Sequence, residues 1–205
     1  MTLSPLLSRL WRAALLGALI VTGHAAFADD AIKLKAKICA TCHGEQGVPM
    51  QKAFPVIWGQ NAGYLFLQLR DFQSGARKND LMSPIAATLA REDLLPLAEY
   101  FSKLKWPNLN QPPAPQDVAT KALAANSSVG CTGCHLDHFQ GDGSTARLAG
   151  QQHDYLIKTM TEFRNKTRGN NPGMSDLMKA AAPDDLEALA TYLAGLQIDQ
   201  YLGNK

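Results

Sequence analysis

The chain has no surplus of charge to offer an oppositely charged polymer. Its 205 residues carry 20 basic and 18 acidic side chains. The segment ahead of Asp29 holds two arginines, Arg9 and Arg12, and no acid, so the chain from Asp29 onward is balanced in charge. A neutral chain lacks the basic footprint that phosphate backbones require, which argues against nucleic acid as a partner. A membrane-spanning run is missing as well. The apolar stretch near the start extends only from Ala13 to Val21, short of the roughly 20 residues that a span needs, and Gly17, Gly23 and His24 weaken it further. No stretch alternates apolar and polar residues at period two, which excludes a sheet-based domain. Cysteine is sparse, with four in all, each beyond Ala28. An oxidising compartment would pair them into disulfides, but their spacing points elsewhere.

What is present begins with a leader. Two arginines, the apolar stretch, and Ala26-Phe27-Ala28 ahead of Asp29-Asp30 make the positive, apolar and small-x-small pattern of a cleaved secretory signal. The expectation is export to the periplasm with residues 1–28 removed. A retained N-terminal anchor, with peripheral membrane association, is the alternative. The remainder, Asp29 to Lys205, suits one medium domain or two small ones, and small cores lean on a metal or cofactor.

That remainder is a duplication. Cys39-Ala40-Thr41-Cys42-His43 recurs 92 positions later as Cys131-Thr132-Gly133-Cys134-His135. Gly59-Gln60 followed by Tyr64-Leu65 recurs 91 positions later as Gly150-Gln151 followed by Tyr155-Leu156, and Phe72, Arg77 and Asn79 recur as Phe163, Arg168 and Asn170. Met82 recurs as Met174, Asp93 as Asp185 and Tyr100 as Tyr192, 92 apart. Such register across a whole unit marks an internal repeat. Between the units, Trp106 to Gln116 holds prolines at 107, 112, 113 and 115, which favour an extended connector. The domains are therefore expected at 29–110 and 111–205.

Each unit reads as helical. Leu94, Leu97, Ala98, Phe101 and Leu104 fall at helical spacing, as do Leu186, Leu189, Ala190, Leu193 and Leu196. Pro183-Asp184-Asp185 opens the latter with a first-turn proline and acids. Asn61 to Ser74 and Gln152 to Thr167 carry a second stripe, and Ala31 to Ile38 and Asp117 to Ala125 precede the cysteine motifs. The expected fold class is all-α.

C-x-x-C-H is the attachment signature of c-type haem. Cysteines three apart share one helical turn and can form thioethers to the two haem vinyl groups, and the adjacent histidine is the proximal iron ligand. A thioredoxin-like redox pair would need a surrounding βαβ pattern, which is missing. A four-cysteine zinc site places its pairs about 15–20 residues apart, not 92. Two covalently bound haem c groups are expected on Cys39, Cys42 and His43 and on Cys131, Cys134 and His135. Met82 follows His43 at the same distance as Met174 follows His135. That match makes Met82 and Met174 the expected distal ligands, each just before a short helix. Met178, one turn past Met174, is the rival to Met174, and Met50 has no counterpart in the second unit. His138 and His153, also unmatched, are read as solvated side chains. Tyr64, Tyr155, Arg77 and Arg168 are candidates for haem propionates, against core packing for the tyrosines and surface charge for the arginines.

These residues resemble the diheme class I cytochromes c of the cytochrome c4 type, over about Asp30 to Gly195. The markers are both C-x-x-C-H motifs, Gly-Gln-x-x-x-Tyr-Leu, Phe72 to Arg77, and Asn79 to Ala86 around Met82. The resemblance implies two tandem cytochrome c folds related by a pseudo-two-fold axis with facing haems. It also implies an electron carrier, rather than an enzyme, between a donor such as a quinol-oxidising complex and a terminal oxidase or reductase. The family pattern has proline four residues before the Gly-Gln pair. Pro55 supplies it once, while Ala146 stands in the second unit, where a backbone carbonyl can still orient the histidine. Trp58 replaces a family alanine. Two other functions share this chemistry: a cytochrome subunit of a dehydrogenase or reductase complex, and a diheme peroxidase. The peroxidase needs an open iron position, which a methionine in each half argues against.

Overall fold

The computed structural model describes residues 30–197; the leader, its cleavage site and residues 198–205 lie outside the described residues. Helix α1 covers residues 30–43. It is followed by α2 (Ala62–Ser74), α3 (Met82–Ala87), a 3-10 turn (Arg91–Asp93) and α4 (Leu94–Ser102). The second series is α5 (Gln116–Val129), α6 (Thr132–His135), α7 (His153–Arg164), α8 (Pro172–Ala180) and α9 (Pro183–Gly195). No strand occurs among the described residues.

The apolar stripes decide which helices meet. In the first half α2 lies against α3 and α4, and Leu65, Leu97, Ala98 and Phe101 close over Ala36 of α1. In the second half α5 lies on α9, and α7 on α8 and α9, around Ala122, Leu156, Met160, Phe163, Leu189 and Leu193. Each fully buried leucine contributes about 1.5–3 kcal/mol. Residues 105–115 have no regular structure, and the side chain of Gln111 holds this connector to the second half by donating to Gln151 O (2.9 Å) and Ala194 O (3.1 Å).

Local chemistry sets the helix ends, and it differs between the halves. Helix α1 runs unbroken into the first histidine, whereas Gly130 adopts φ 80° after Val129 and divides α5 from α6 in the second half. The position before the first cysteine motif is Ile38, which continues a helix where glycine ends one. Helix α7 stops at Arg164, short of the expected Thr167, because the chain turns left-handed at Lys166 (φ 59°). In the first half that turn is made by Gly75 (φ 78°), whose conformation costs glycine nothing.

Lys166 is exposed, so its backbone strain is not offset by packing of its side chain. A non-glycine left-handed residue costs roughly 1–2 kcal/mol, and glycine returns about 0.5–1 kcal/mol of that as unfolded-state entropy. Lys166→Gly is expected to raise stability by about 0.5–1 kcal/mol, seen as a higher urea midpoint with unchanged slope.

Candidate functional site

The last turn of α1 presents Cys39, Cys42 and His43 on one side, and the chain then leaves through Gly44, whose N–H donates to Ala40 O at 2.8 Å. Gly44 has φ 88°, and a Cβ there would stand 2.0 Å from Val48 O. The second half makes the same exit at Leu136, with φ 64° and ψ 169°, a region that is essentially glycine's own. The histidines before these exits are both buried, at 7% exposure. His43 Nδ1 lies 2.8 Å from Pro55 O, and His135 Nδ1 lies 2.8 Å from Ala146 O. A carbonyl only accepts, so each Nδ1 carries the proton and each Nε2 keeps its lone pair for a metal. Burial pushes both imidazoles below their ordinary range, partly offset by the carbonyl bond, so both rings are neutral. Replacing proline by alanine at 146 leaves this bond intact, since only the carbonyl is used.

Cys39, Cys42, His43 and Met82 line a single cleft with about 1540 Å³ of empty space, open solvent included, walled by Ile57, Leu65, Phe72 and Phe101. Neither pair of cysteines is bridged, and burial raises the Cys39 and Cys131 thiols above their ordinary value. Met82 is the first residue of α3, and Met174 lies in the first turn of α8, so each methionine belongs to its short helix rather than preceding it. Met82 N–H donates to Asn79 Oδ1 (2.9 Å), and Met174 N–H to Asn171 Oδ1 (3.1 Å). The structural partner of Asn79 is therefore Asn171, not Asn170. The extra residue of the second repeat sits between Arg168 and Asn171, and Asn170 is freed for another use. Met174 is half-buried against the second core, as is Cys131, whereas Met178 is 2% exposed and part of that core. Met50 is 72% exposed, away from any such role. His138 is exposed, and His153 is half-buried at the start of α7, with its ring nitrogens 3.0 Å from Asp154 and 3.0 Å from Glu187. Trp58 lies over Gly47, where a Cβ would meet its ring at 2.8 Å.

The two halves meet through polar groups that periodicity does not reveal. Arg77 and Arg168 are buried, not surface charges, and each stacks on its own half's phenylalanine, Phe72 at 4.5 Å and Phe163 at 4.3 Å. Each also crosses over: Arg77 donates to Tyr155 Oη (3.2 Å) and Arg168 to Tyr64 Oη (3.3 Å). Both guanidiniums converge on Gln68 Oε1, at 2.9 and 2.8 Å, and Asn170 donates to Gln68 Oε1 (3.2 Å) and Asp71 Oδ2 (2.8 Å). Burial alone would raise Tyr155, yet the two guanidiniums outweigh it and hold the phenol down to about 7, while burial and the charged neighbour raise Tyr64. Among the described residues neither buried guanidinium is ion-paired to a carboxylate, which leaves their positive charge facing the two phenols. Arg168 Nη1 is buried without a hydrogen-bond partner. An acidic group carrying carboxylates, such as the two propionates of a haem, meets both needs, so the residues fit a haem.

Gln60 and Gln151 complete the interface as a reciprocal pair. Gln60 Nε2 donates to Arg147 O (2.9 Å) and its Oε1 accepts from Arg147 N (2.7 Å). Gln151 Nε2 donates to Val56 O (3.0 Å) and its Oε1 accepts from Val56 N (2.7 Å). The Gly-Gln repeat marks these positions without revealing their use, because their partners lie 87 and 95 residues away. Gln68 carries no such mark, since its repeat position is Thr159. Among the described residues no cluster of three or more His, Cys, Asp or Glu side chains is placed to hold a bare metal ion.

No family model matches the chain. It is 34% identical over 180 residues to the "Thiosulfate dehydrogenase electron acceptor" of Stutzerimonas stutzeri, covering 78% of this chain and 80% of that one. It is 32% identical over 190 residues to the cytochrome c4 of Pseudomonas aeruginosa, covering 86% and 93%. The crystal structure of reduced recombinant cytochrome c4 from Pseudomonas stutzeri matches with a TM-score of 0.72 at 29% identity, over 82% of this chain and 98% of that one.

The contrast between the two neighbouring methionines is measurable. Met178→Ala is expected to cost about 2–5 kcal/mol as a core truncation, and half-buried Met174→Ala clearly less, both read from urea unfolding.

Proposed function

The chain belongs to the cytochrome c4 family of diheme cytochromes c, and from that premise we propose that it is a periplasmic carrier of single electrons rather than an enzyme. As a family member it is all-α with two tandem c-type domains, and it holds two covalently bound haem c groups for electron transfer. We assign the domains to residues 29–110 and 111–205. The haems are assigned to Cys39, Cys42 and His43 with Met82, and to Cys131, Cys134 and His135 with Met174.

One observation carries the reading: two buried histidines, each directly after a C-x-x-C pair, donate Nδ1–H to a backbone carbonyl at 2.8 Å. That bond fixes the tautomer, aims Nε2 and strengthens it as a donor. The haem iron, when bound, supplies a one-electron couple. The chain's own residues do the rest. Met82 and Met174 would each offer a thioether to the iron held by the histidine of its own half, which would favour the reduced state and leave no site for oxygen or peroxide. Arg77, Arg168, Tyr64 and Tyr155, which meet across the two halves, would neutralise and hold haem propionates there. Joining of the two halves through this buried cluster suits a molecule that accepts an electron at one end and releases it at the other.

Its partners are redox proteins. A quinol-oxidising complex as donor and a terminal oxidase or reductase as acceptor are the partners proposed for a free carrier. The relative named as an electron acceptor of thiosulfate dehydrogenase favours a second reading, a cytochrome that serves a dehydrogenase complex directly. Among the described residues no helix is long and apolar enough to cross a membrane. Co-purification of a dehydrogenase polypeptide would select the second reading, and a lone soluble haem protein the first.

Intact-mass analysis of the exported protein is expected to give the Asp29–Lys205 chain plus two haems, with colour resistant to acidic acetone. A bare-chain mass would exclude the assignment. Replacing Met82 or Met174 with Ala is expected to abolish one methionine-ligated low-spin signal each and lower that haem's potential, while Met178→Ala and Met50→Ala leave both signals in place.

A further inference from the structure

The carbonyl that holds each histidine is one end of a peptide group whose other end is held by the opposite half. Pro55 C=O, which accepts from His43 Nδ1–H, and Val56 N–H, which donates to Gln151 Oε1, belong to the same peptide unit. Ala146 C=O, which accepts from His135 Nδ1–H, and Arg147 N–H, which donates to Gln60 Oε1, belong to another. Both glutamines are 3% exposed, and their amide orientation is fixed, because a backbone N–H only donates and a backbone carbonyl only accepts. Each Oε1 also accepts from the next residue, Gln60 from Asn61 N (2.9 Å) and Gln151 from Gln152 N (2.9 Å), which locks the side chain over its own helix start.

We infer that Gln60 and Gln151 are positioning residues that set the iron-donor strength of the histidine in the opposite half, Gln151 acting on His43 and Gln60 on His135. The reasoning is electrostatic. A peptide whose N–H is engaged by a strong acceptor is polarised, so its carbonyl becomes a better acceptor. A better acceptor draws more on Nδ1–H and gives the ring more imidazolate character. The Nε2 lone pair is then more basic and favours the ferric iron. In a buried, low-dielectric interface this gain is not screened by water. The relay is a crossed one, and the duplication supplies it twice with closely matched bond lengths: 2.8 and 2.8 Å at the histidines, 2.7 and 2.7 Å at the amide N–H groups, 3.0 and 2.9 Å at the return bonds. Gln68 and Asn170, elsewhere in the same interface, follow no such two-fold pattern.

The inference rests on the haem assignment above. The wild-type mass reads that assignment first, since a chain without two haems removes the groups the relay acts on before any variant is made. With two haems present, the experiment is a redox titration of the diheme protein followed by NMR, with each haem assigned to its half through contacts to residues of that half. Gln151→Met, which keeps volume and removes the acceptor, is expected to raise the potential of the haem on Cys39 and Cys42 and leave the other in place. Gln60→Met is expected to raise the potential of the haem on Cys131 and Cys134 only. In reduced, nitrogen-15-labelled protein the Nδ1–H signal of His43 is expected to move upfield in Gln151→Met, and that of His135 in Gln60→Met. Shifts confined to the haem of the substituted half would overturn the relay. So would equal shifts of both haems in each variant, the mark of a loosened interface, or no movement of any potential or Nδ1–H signal. Gln60→Asn and Gln151→Asn keep an amide but shorten its reach, and they are expected to give the same crossed pattern should methionine open the interface.

Discussion

The hydrogen bond from a buried histidine ring to a backbone carbonyl is the constraint that the rest of this molecule serves. It can form only if the ring is brought to the end of a helical turn and the receiving loop is held within reach. The first condition is met by the cysteine motif at the end of α1 and in α6, where a sharp exit follows the histidine. The second is met from outside the half that contains the ring. Val56 and Arg147 each give both backbone groups to a glutamine across the interface, so the loop bearing the acceptor carbonyl has no freedom to drift. Each such bond contributes about 1 kcal/mol, but breaking one would leave a buried backbone group unsatisfied at about 1–3 kcal/mol. The interface is therefore part of what holds each histidine ring in place.

This dependence explains what could be read in the sequence and what could not. Helices announce themselves through periodic burial, and Leu94, Leu97, Ala98 and Phe101 lie on the buried face that their spacing predicts. The cysteine motifs are local chemistry with local spacing, and the repeat doubles their signal. Gln60 and Gln151 are visible as repeated positions, but a glutamine's partner across a fold leaves no mark on its own neighbours. Arg77 and Arg168 are equally ambiguous, because an arginine stacked on a ring and bonded to a tyrosine 78 or 104 residues away looks like any surface arginine in sequence. The pairing of Asn79 with Asn170 follows the register of the arginines before it. Only the donor from Met174 shows that the extra residue falls earlier and that Asn171 takes the cap.

The departures from two-fold symmetry are as informative as the symmetry. Glycine makes the first half's exits at positions 44 and 75, while the second uses Leu136 and Lys166 in left-handed backbone. The second half thus bears strain that the first avoids, and bears it directly beside the proximal histidine at Leu136. Its core, gathered from α5, α7, α8 and α9, is also the larger of the two.

The buried charges carry the asymmetry to the centre of the molecule. Two guanidiniums from opposite halves share one oxygen of Gln68, a first-half residue, and Asn170 reaches from the second half to Asp71 in the first. Asp71 is itself buried and tied to Arg70 at 2.8 Å. The negative end of the cluster therefore lies on the first half and the orphaned donor, Arg168 Nη1, on the second. The proximal bonds are alike in the two halves at 2.8 Å, so this uneven placement of Asp71 and Arg168 is an asymmetry of the interface cluster rather than of the histidines it lies beside.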